Sequence, residues 1–81
     1  MKHAFSRKFI RQYKALTPVL KAKVDKQVAF LVANLHHPSL RAKKYDEAND
    51  VWQARVDDTY RFYFKIEVDT YQILSVTSHP K

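Results

Sequence analysis

Apolar and polar side chains alternate through residues 51–66, and this two-residue period predicts two β-strands joined by a tight turn. The apolar positions are Trp52, Ala54 and Val56, followed by Tyr60, Phe62, Phe64 and Ile66. The polar positions are Gln53 and Arg55, followed by Arg61, Tyr63 and Lys65. Each strand therefore has one face suited to a core and one polar face. The polar faces together carry guanidinium, amide and phenol groups, which are suited to phosphates and stacked bases.

Apolar residues at helical spacing predict two amphipathic helices ahead of these strands. The first follows Ser6, a suitable N-cap, and its apolar positions are Phe9, Ile10, Tyr13 and Leu16. The second begins at Thr17-Pro18, because proline lacks only an N–H that the first helical turn does not use. It runs to about Leu35, where His36-His37-Pro38 ends it. Its apolar stripe is Leu20, Val24, Val28, Leu31, Val32 and Leu35.

The two ends of the chain predict further strands. Residues 1–5 suffice for a short edge strand, and a last strand runs from about residue 70 to 77 or 79. Because Ile73 and Leu74 are adjacent and apolar, they cannot share a face, and we expect Leu74 and Val76 in the core. The residues then expected on the polar face are Ile73, Ser75, Thr77 and His79.

The connections contain no glycine, so Asp and Asn must form the turns at residues 46–50 and 57–59. Residues 39–45 read as a basic loop that Leu40 anchors to the core. The predicted fold class is α+β, with one domain of residues 1–81 and an order of about β-α-α-β-β-β. Two N-terminal helices pack on one face of an antiparallel sheet, and the other face stays open.

The charge and composition of the chain limit the partners and kinds of site that it can have. Lys and Arg number 15 against 8 Asp and Glu, and the net charge of +7 indicates an anionic partner. The absence of cysteine excludes disulfides and thiolate metal sites. The adjacent histidines His36 and His37 have no acidic cluster near them in sequence, so we expect boundary residues and no metal site. No apolar run could span a bilayer and no signal peptide is present, which predicts a cytoplasmic protein without membrane contact.

Four motifs carry a resemblance to a known family. They are His37-Pro38-Ser39-Leu40-Arg41-Ala42-Lys43-Lys44, Trp52-x-x-Arg55-Val56, Tyr60-Arg61-Phe62-x-Phe64 and Ile73-Leu74-x-Val76-x-x-His79. Their order and spacing resemble the RelE/ParE superfamily of type II toxin–antitoxin toxins, over nearly the whole chain from Phe9 onward. The resemblance implies the RelE-like fold, which agrees with the fold class derived above.

The resemblance also implies two alternative activities. RelE-like members enter the ribosomal A site and cut mRNA by attack of a ribose 2′-hydroxyl, which needs no metal or cofactor, whereas ParE-like members inhibit DNA gyrase. Both are silenced by a cognate antitoxin, here expected to be acidic because the chain is basic. The mRNA endonuclease is the favoured interpretation, because Arg, Tyr and His concentrate on one sheet face. A catalytically inactive RNA- or protein-binding module of the same fold is a third alternative.

For the endonuclease, the resemblance assigns catalysis to Arg55, Arg61 and His79. Arg61 would stabilise the transition-state charge, Arg55 would clamp phosphate, and His79 would transfer a proton. The residues expected to bind RNA are Arg41, Lys43, Lys44, Gln53, Tyr63 and Lys65. A structural alternative is that the two arginines form surface ion pairs with Asp57, Asp58 or Glu67 and that His79 is merely an exposed residue.

Overall fold

The computed structural model describes residues 1–78, which form two helices and a five-stranded mixed sheet. In chain order the elements are β1 (Lys2–Phe5), α1 (Arg7–Lys14), α2 (Pro18–Ala33), a 3-10 turn (Pro38–Leu40), β2 (Lys43–Asp46), β3 (Val51–Arg55), β4 (Tyr60–Glu67) and β5 (Thr70–Ser78). The strand order across the sheet is β1-β5-β4-β3-β2. Neither helix is long and apolar enough to cross a membrane.

Two features of the sheet differ from the sequence prediction. The expected fully antiparallel sheet is wrong at one edge, because β1 pairs with β5 in parallel. Side-chain alternation identifies a strand but carries no information on its direction. The expected basic loop is also partly wrong, since residues 43–46 form β2 and pair with β3. All four side chains of β2 are polar or amphipathic, so the strand has no apolar period to reveal it.

The helix starts follow the prediction. Ser6 Oγ accepts a 3.0 Å hydrogen bond from the Phe9 N–H, and Thr17 Oγ1 accepts one of 3.2 Å from the Leu20 N–H. These bonds satisfy N–H groups that have no partner within the helix. Helix α2 ends at Ala33, before the predicted boundary, because Asn34 is extended and its side chain accepts from the His36 N–H at 2.9 Å.

The core lies between the helices and one face of the sheet. Its buried side chains are Phe9, Val24, Val28, Leu31, Leu40, Ala54, Val56, Phe62, Phe64, Tyr71, Ile73 and Val76. Leu40 is fully buried and anchors its loop as predicted, whereas Ile10, expected on the apolar stripe of α1, is exposed. The face of β3 and β4 that bears Phe62 and Phe64 is therefore the covered one, as the alternation predicted.

A register shift in β5 corrects the prediction for the last strand. Tyr63 pairs with Ser75, but Phe64 pairs with Ile73, so Leu74 is an extra residue at a bulge. Ile73 and Val76 are therefore both buried, so the expected core position of Leu74 and the expected polar-face position of Ile73 are both wrong. Only the bulge allows residues three apart to share a face of a strand.

Polar groups of α1 and its N-cap hold this bulge. The Ser6 hydroxyl donates a 2.6 Å hydrogen bond to the Leu74 carbonyl, and the Gln12 side-chain oxygen accepts one of 2.9 Å from the Val76 N–H. Strand β1 pairs with β5 only as far as Ile73. Beyond that point, side chains of the helix take the place of a neighbouring strand.

Candidate functional site

The face of the sheet turned away from the helices, called here the open face, collects most of the predicted site residues. Its cross-strand pairs are Lys43 with Gln53, Gln53 with Tyr63, Tyr63 with Ser75, Arg55 with Arg61, and Arg61 with Thr77. These residues alternate with the buried ones, which confirms that both arginines lie opposite the helices. Ser75 and Thr77 are on this face as predicted, and His79 lies outside the described residues.

Arg55 and Arg61 face each other across β3 and β4, but their guanidinium groups have different partners. Arg55 Nη2 forms an ion pair with the carboxylate of Asp58, whose side chain is 95% exposed. Arg61 Nη1 donates to the backbone carbonyls of Asp57 and Tyr60. Within residues 1–78 Arg61 forms no ion pair. The alternative of surface pairing therefore applies to Arg55, while the charge of Arg61 is left uncompensated by any described carboxylate.

The turn between β3 and β4 is organised by Asp57. Its Oδ1 accepts from the N–H groups of Thr59 at 2.8 Å and Tyr60 at 2.7 Å, and its Oδ2 lies 3.2 Å from Lys23 Nζ on α2. Partial burial works to raise the pKa of Asp57, but these N–H groups and Lys23 outweigh it and hold the pKa below its usual value. The carboxylate thus fixes the turn whose carbonyl receives Arg61.

Gln27 is a positioning residue that sequence reasoning missed. Its side chain is 3% exposed, and its Nε2 donates to the Arg55 carbonyl at 2.8 Å and to the Ser39 carbonyl at 3.1 Å. It lies three residues after Val24 and four before Leu31, on the apolar stripe of α2. An amide at such a position is the signal that would have identified it. A buried amide needs hydrogen-bond partners. Here they are two backbone carbonyls, one in the arginine-bearing strand β3 and one in the 3-10 turn.

An aromatic cluster lies beside the arginines. The rings of Tyr45 and Tyr63 meet edge to face with centroids 4.9 Å apart, and Tyr45 is 61% exposed. Gln53 Nε2 lies 3.2 Å from the Tyr63 hydroxyl and orients it. Because Gln53 is only 5% exposed, it supports Tyr63 and has little free surface with which to contact RNA itself. The sequence does not single out Tyr45, because the basic run of residues 39–45 predicts a loop where the structure has β2.

The predicted basic residues do not all share the open face. Lys43 and Lys65 lie on it, and Arg41 is exposed just before β2. Lys44 points to the other side, with its Nζ 5.3 Å from the centroid of the Trp52 ring and 2.9 Å from Asp50. The hydrogen bond to Asp50 raises the pKa of Lys44. Lys43 and Lys44 were both expected to bind RNA, but they lie on opposite faces of the sheet, because adjacent strand residues face opposite ways.

A shallow groove of about 440 Å³ runs over the open face beside the tyrosines. It is lined by Lys8, Tyr45, Val51, Tyr63, Leu74, Ser75, Thr77 and Ser78. Among residues 1–78 no three His, Asp or Glu side chains are grouped so that they could hold a metal ion. His37 instead stacks on Phe30 with ring centroids 3.8 Å apart and faces Ser39 through its Nδ1. His37 is the N-cap of the 3-10 turn, and it does not end α2 as predicted, because that helix already ends at Ala33.

Comparison with solved structures finds close matches in shape at low sequence identity. The YoeB/ParE toxin from Agrobacterium tumefaciens superposes with a TM-score of 0.82 at 10% identity, covering 99% of this chain and 100% of that one. YafQ from E. coli strain BL21(DE3) gives 0.81 at 13% identity, covering 96% and 92%. The YoeB of a YoeB–YefM toxin–antitoxin complex from Staphylococcus aureus gives 0.79 at 14%, covering 99% and 98%.

The sequence itself gives no such match. No protein-family model matches it, and no curated protein does. At these identities the structural likeness concerns the backbone and not individual side chains. The chain therefore has the fold of the YoeB, YafQ and RelE toxins, as its resemblance to the RelE/ParE superfamily implied.

Proposed function

We propose that this protein is the toxin of a type II toxin–antitoxin system and that it cleaves mRNA on the ribosome. The observation that carries the proposal is the opposition of Arg55 and Arg61 on the open face of the sheet. Like charges directly opposite each other on neighbouring strands repel and destabilise a sheet. A phosphate lying between the two guanidinium groups would remove that repulsion, and guanidinium groups match phosphate oxygens in geometry.

The chemistry proposed is attack of a ribose 2′-hydroxyl on the adjacent phosphorus. A new P–O2′ bond forms, the P–O5′ bond breaks, and the products are a 2′,3′-cyclic phosphate and a 5′-hydroxyl. The nucleophile belongs to the RNA, so the protein has to position the phosphate, stabilise the growing negative charge and move protons.

Arg61 is the better candidate for charge stabilisation. It forms no ion pair within residues 1–78, and two backbone carbonyls hold its guanidinium in place. Arg55 lies across from it and shares its charge with Asp58, so a substrate phosphate would compete with that carboxylate. Donors that are already oriented before the substrate arrives need little reorganisation in the transition state.

Proton transfer is assigned to His79 by the resemblance alone. Imidazole is suited to both halves of the reaction, because it ordinarily titrates near neutrality and can act as base or acid. The open face offers further contacts for RNA through Lys43 and Lys65, which lie on it, and through Tyr63. These residues add positive charge and a stacking surface without participating in bond cleavage.

The proposed partner is an acidic antitoxin in the cytoplasm. Solved structures of the same fold include complexes of YoeB with YefM and of RelE with RelB. The net charge of +7 favours an acidic polypeptide, and long-range attraction would speed its encounter with the toxin. An affinity that is insensitive to salt would contradict this part of the proposal.

Primer extension on a translated message tests the activity. Wild-type protein should produce cuts within codons of translated mRNA, and Arg61→Ala should reduce cutting by roughly two to three orders of magnitude while the fold persists. His79→Ala should reduce it by about 10²- to 10⁴-fold at most. Lys26→Ala is the control, because Lys26 is exposed on α2, which contributes no residue to the groove on the open face.

Two results would replace the proposal with an alternative. If the wild-type protein leaves mRNA intact but halts gyrase-dependent supercoiling, the protein is a gyrase inhibitor. If neither activity is found, it is a binding module of the same fold.

A further inference from the structure

We infer that Tyr45 and Tyr63 form a subsite for one unpaired nucleobase, adjacent to the phosphate held by the arginine pair. The inference rests on the proposed function for the identity of the ligand as RNA. It adds a residue, Tyr45, to which neither the sequence nor the comparisons assign a role. It also distinguishes a base-binding part of the open face from a phosphate-binding part.

The geometry of the two rings suits a planar ligand. Their planes are inclined by 61° with centroids 4.9 Å apart, so the rings form a corner. A base stacked on one ring would have the positive edge of the other beside it. Aromatic contacts of both kinds, stacked and edge to face, are favourable.

The exposure of Tyr45 is unusual for a structural aromatic. It is 61% exposed on the edge strand β2. A tyrosine with a structural role usually buries most of its ring. Tyr63, by contrast, is half-buried, and its hydroxyl lies 3.2 Å from the Gln53 amide. One ring is therefore fixed and the other is presented to the ligand.

The strand register connects this corner to the arginines. Tyr63 and Arg61 are two residues apart on β4 and point to the same side. Their Cα atoms are separated by about 7 Å along a strand. A nucleotide can span that distance between its base and a flanking phosphate, so both contacts can be made at once.

The groove also supplies polar groups that discriminate little between one nucleobase and another. Ser75 and Thr77 contribute hydroxyls, which can donate or accept, and Lys8 contributes a cation at the rim. Stacking would accordingly provide most of the binding energy, with modest base preference. The ligand could be a base of the mRNA or of ribosomal RNA, which have the same chemistry.

NMR titration of the full-length chain with the dinucleotide ApA tests the subsite without the ribosome. Ring protons of Tyr45 and Tyr63 should shift on addition of ApA and not on addition of ribose 5-phosphate, which lacks a base. Tyr45→Ala should raise the dissociation constant for ApA by roughly 5- to 150-fold, and Tyr45→Phe should leave it near the wild-type value. Equal binding by wild type and Tyr45→Ala, or equal ring shifts with ribose 5-phosphate, would overturn the inference.

Cleavage assays on ribosomes separate this inference from the proposed function and identify the source of the base. If wild type binds ApA through Tyr45 but cuts no mRNA, the subsite stands and the endonuclease does not. If wild type cuts mRNA and Tyr45→Ala cuts the same codons at the same rate, the endonuclease stands and the subsite does not. A loss in Tyr45→Ala that varies with the bases of the codon assigns the subsite to mRNA, whereas a uniform loss, together with weakened ApA binding, assigns it to ribosomal RNA.

Discussion

The side-chain amide of Gln27 donates a 2.8 Å hydrogen bond to the backbone carbonyl of Arg55, which connects the middle of α2 to the strand beneath the candidate phosphate site. The same amide reaches the Ser39 carbonyl in the loop before β2. One buried side chain thus sets the distance between a helix, a loop and the arginine-bearing strand.

Replacing Gln27 with leucine should destabilise the fold. The two carbonyls would lose their donor in a buried environment, at a cost of about 1–3 kcal/mol for each acceptor left without one. Urea denaturation measures the change, and Lys26→Ala, an exposed neighbour on α2, should change the free energy of unfolding by no more than about 0.5 kcal/mol. A Gln27→Leu protein as stable as wild type would show that the two hydrogen bonds of the amide make no net contribution beyond that of a buried apolar side chain.

The sequence predicted those parts of the fold that follow from local pattern. The two caps, the helix starts and the apolar faces of β3 and β4 each depend on residues close together in the chain. The bulge in β5 could not be predicted, because its cause lies far away: Ser6 and Gln12 bind backbone groups more than 60 positions later. The pattern at Ile73 and Leu74 showed only that one of them had to leave the core.

For the candidate site, too, the sequence predicted which face the residues lie on but not which residues they contact. Alternation placed Arg55 and Arg61 on one face, and the strand register confirms it. Which arginine forms an ion pair could not be read from the sequence, because Asp57 and Asp58 both lie within four residues of Arg55 and of Arg61. Only the turn geometry directs Asp57 toward Lys23 and leaves Asp58 for Arg55.

Val68 has an unfavourable backbone conformation, and replacing it should stabilise the protein. It is the first of two loop residues between β4 and β5, has φ of 56° and is 100% exposed. A β-branched residue at positive φ is strained, whereas glycine adopts that region freely. Val68→Gly should raise the free energy of unfolding by up to about 1 kcal/mol. Val68→Ala keeps the Cβ atom and should gain less.

Urea denaturation compares the two variants through the midpoint and through the slope of the free energy of unfolding against urea concentration. A higher midpoint for Val68→Gly with an unchanged slope would indicate relief of strain in the folded state. A lower midpoint would mean that the added backbone entropy of glycine in the unfolded chain exceeds the strain.

Asp57 should make the stability of the protein depend on acid pH. Its pKa is held below the ordinary value of 3.8, so the folded state favours the charged carboxylate. Its contribution is fully present above the unfolded value and is lost as the pH falls through the folded pKa. Wild type should therefore lose stability below about pH 4, and Asp57→Asn should lose less over the same range.

The control for Asp57→Asn is a variant that removes one negative charge outside the turn between β3 and β4. Glu47→Gln serves, because Glu47 is exposed in the turn between β2 and β3. Denaturant titrations from pH 7 to pH 2.5 give the free energy of unfolding for each protein. Parallel curves for wild type and Asp57→Asn would show that the Asp57 carboxylate does not contribute.

The ion pair between Arg55 and Asp58 gives the last prediction, because it places a carboxylate in competition with the proposed phosphate. Asp58 is almost wholly exposed, so the pair contributes little to stability, and Asp58→Ala should fold as well as wild type within about 1 kcal/mol. Freed of this competitor, Arg55 should bind RNA phosphate more strongly, by up to about fivefold in dissociation constant at low salt.

Asp69→Ala is the control, because it removes an equal charge at the far edge of the sheet, where Asp69 pairs with Lys2. Fluorescence anisotropy with a labelled single-stranded RNA should show a gain for Asp58→Ala that exceeds the gain for Asp69→Ala and shrinks with added salt. Equal gains in the two variants would mean that only net charge matters and that Arg55 does not contact the phosphate.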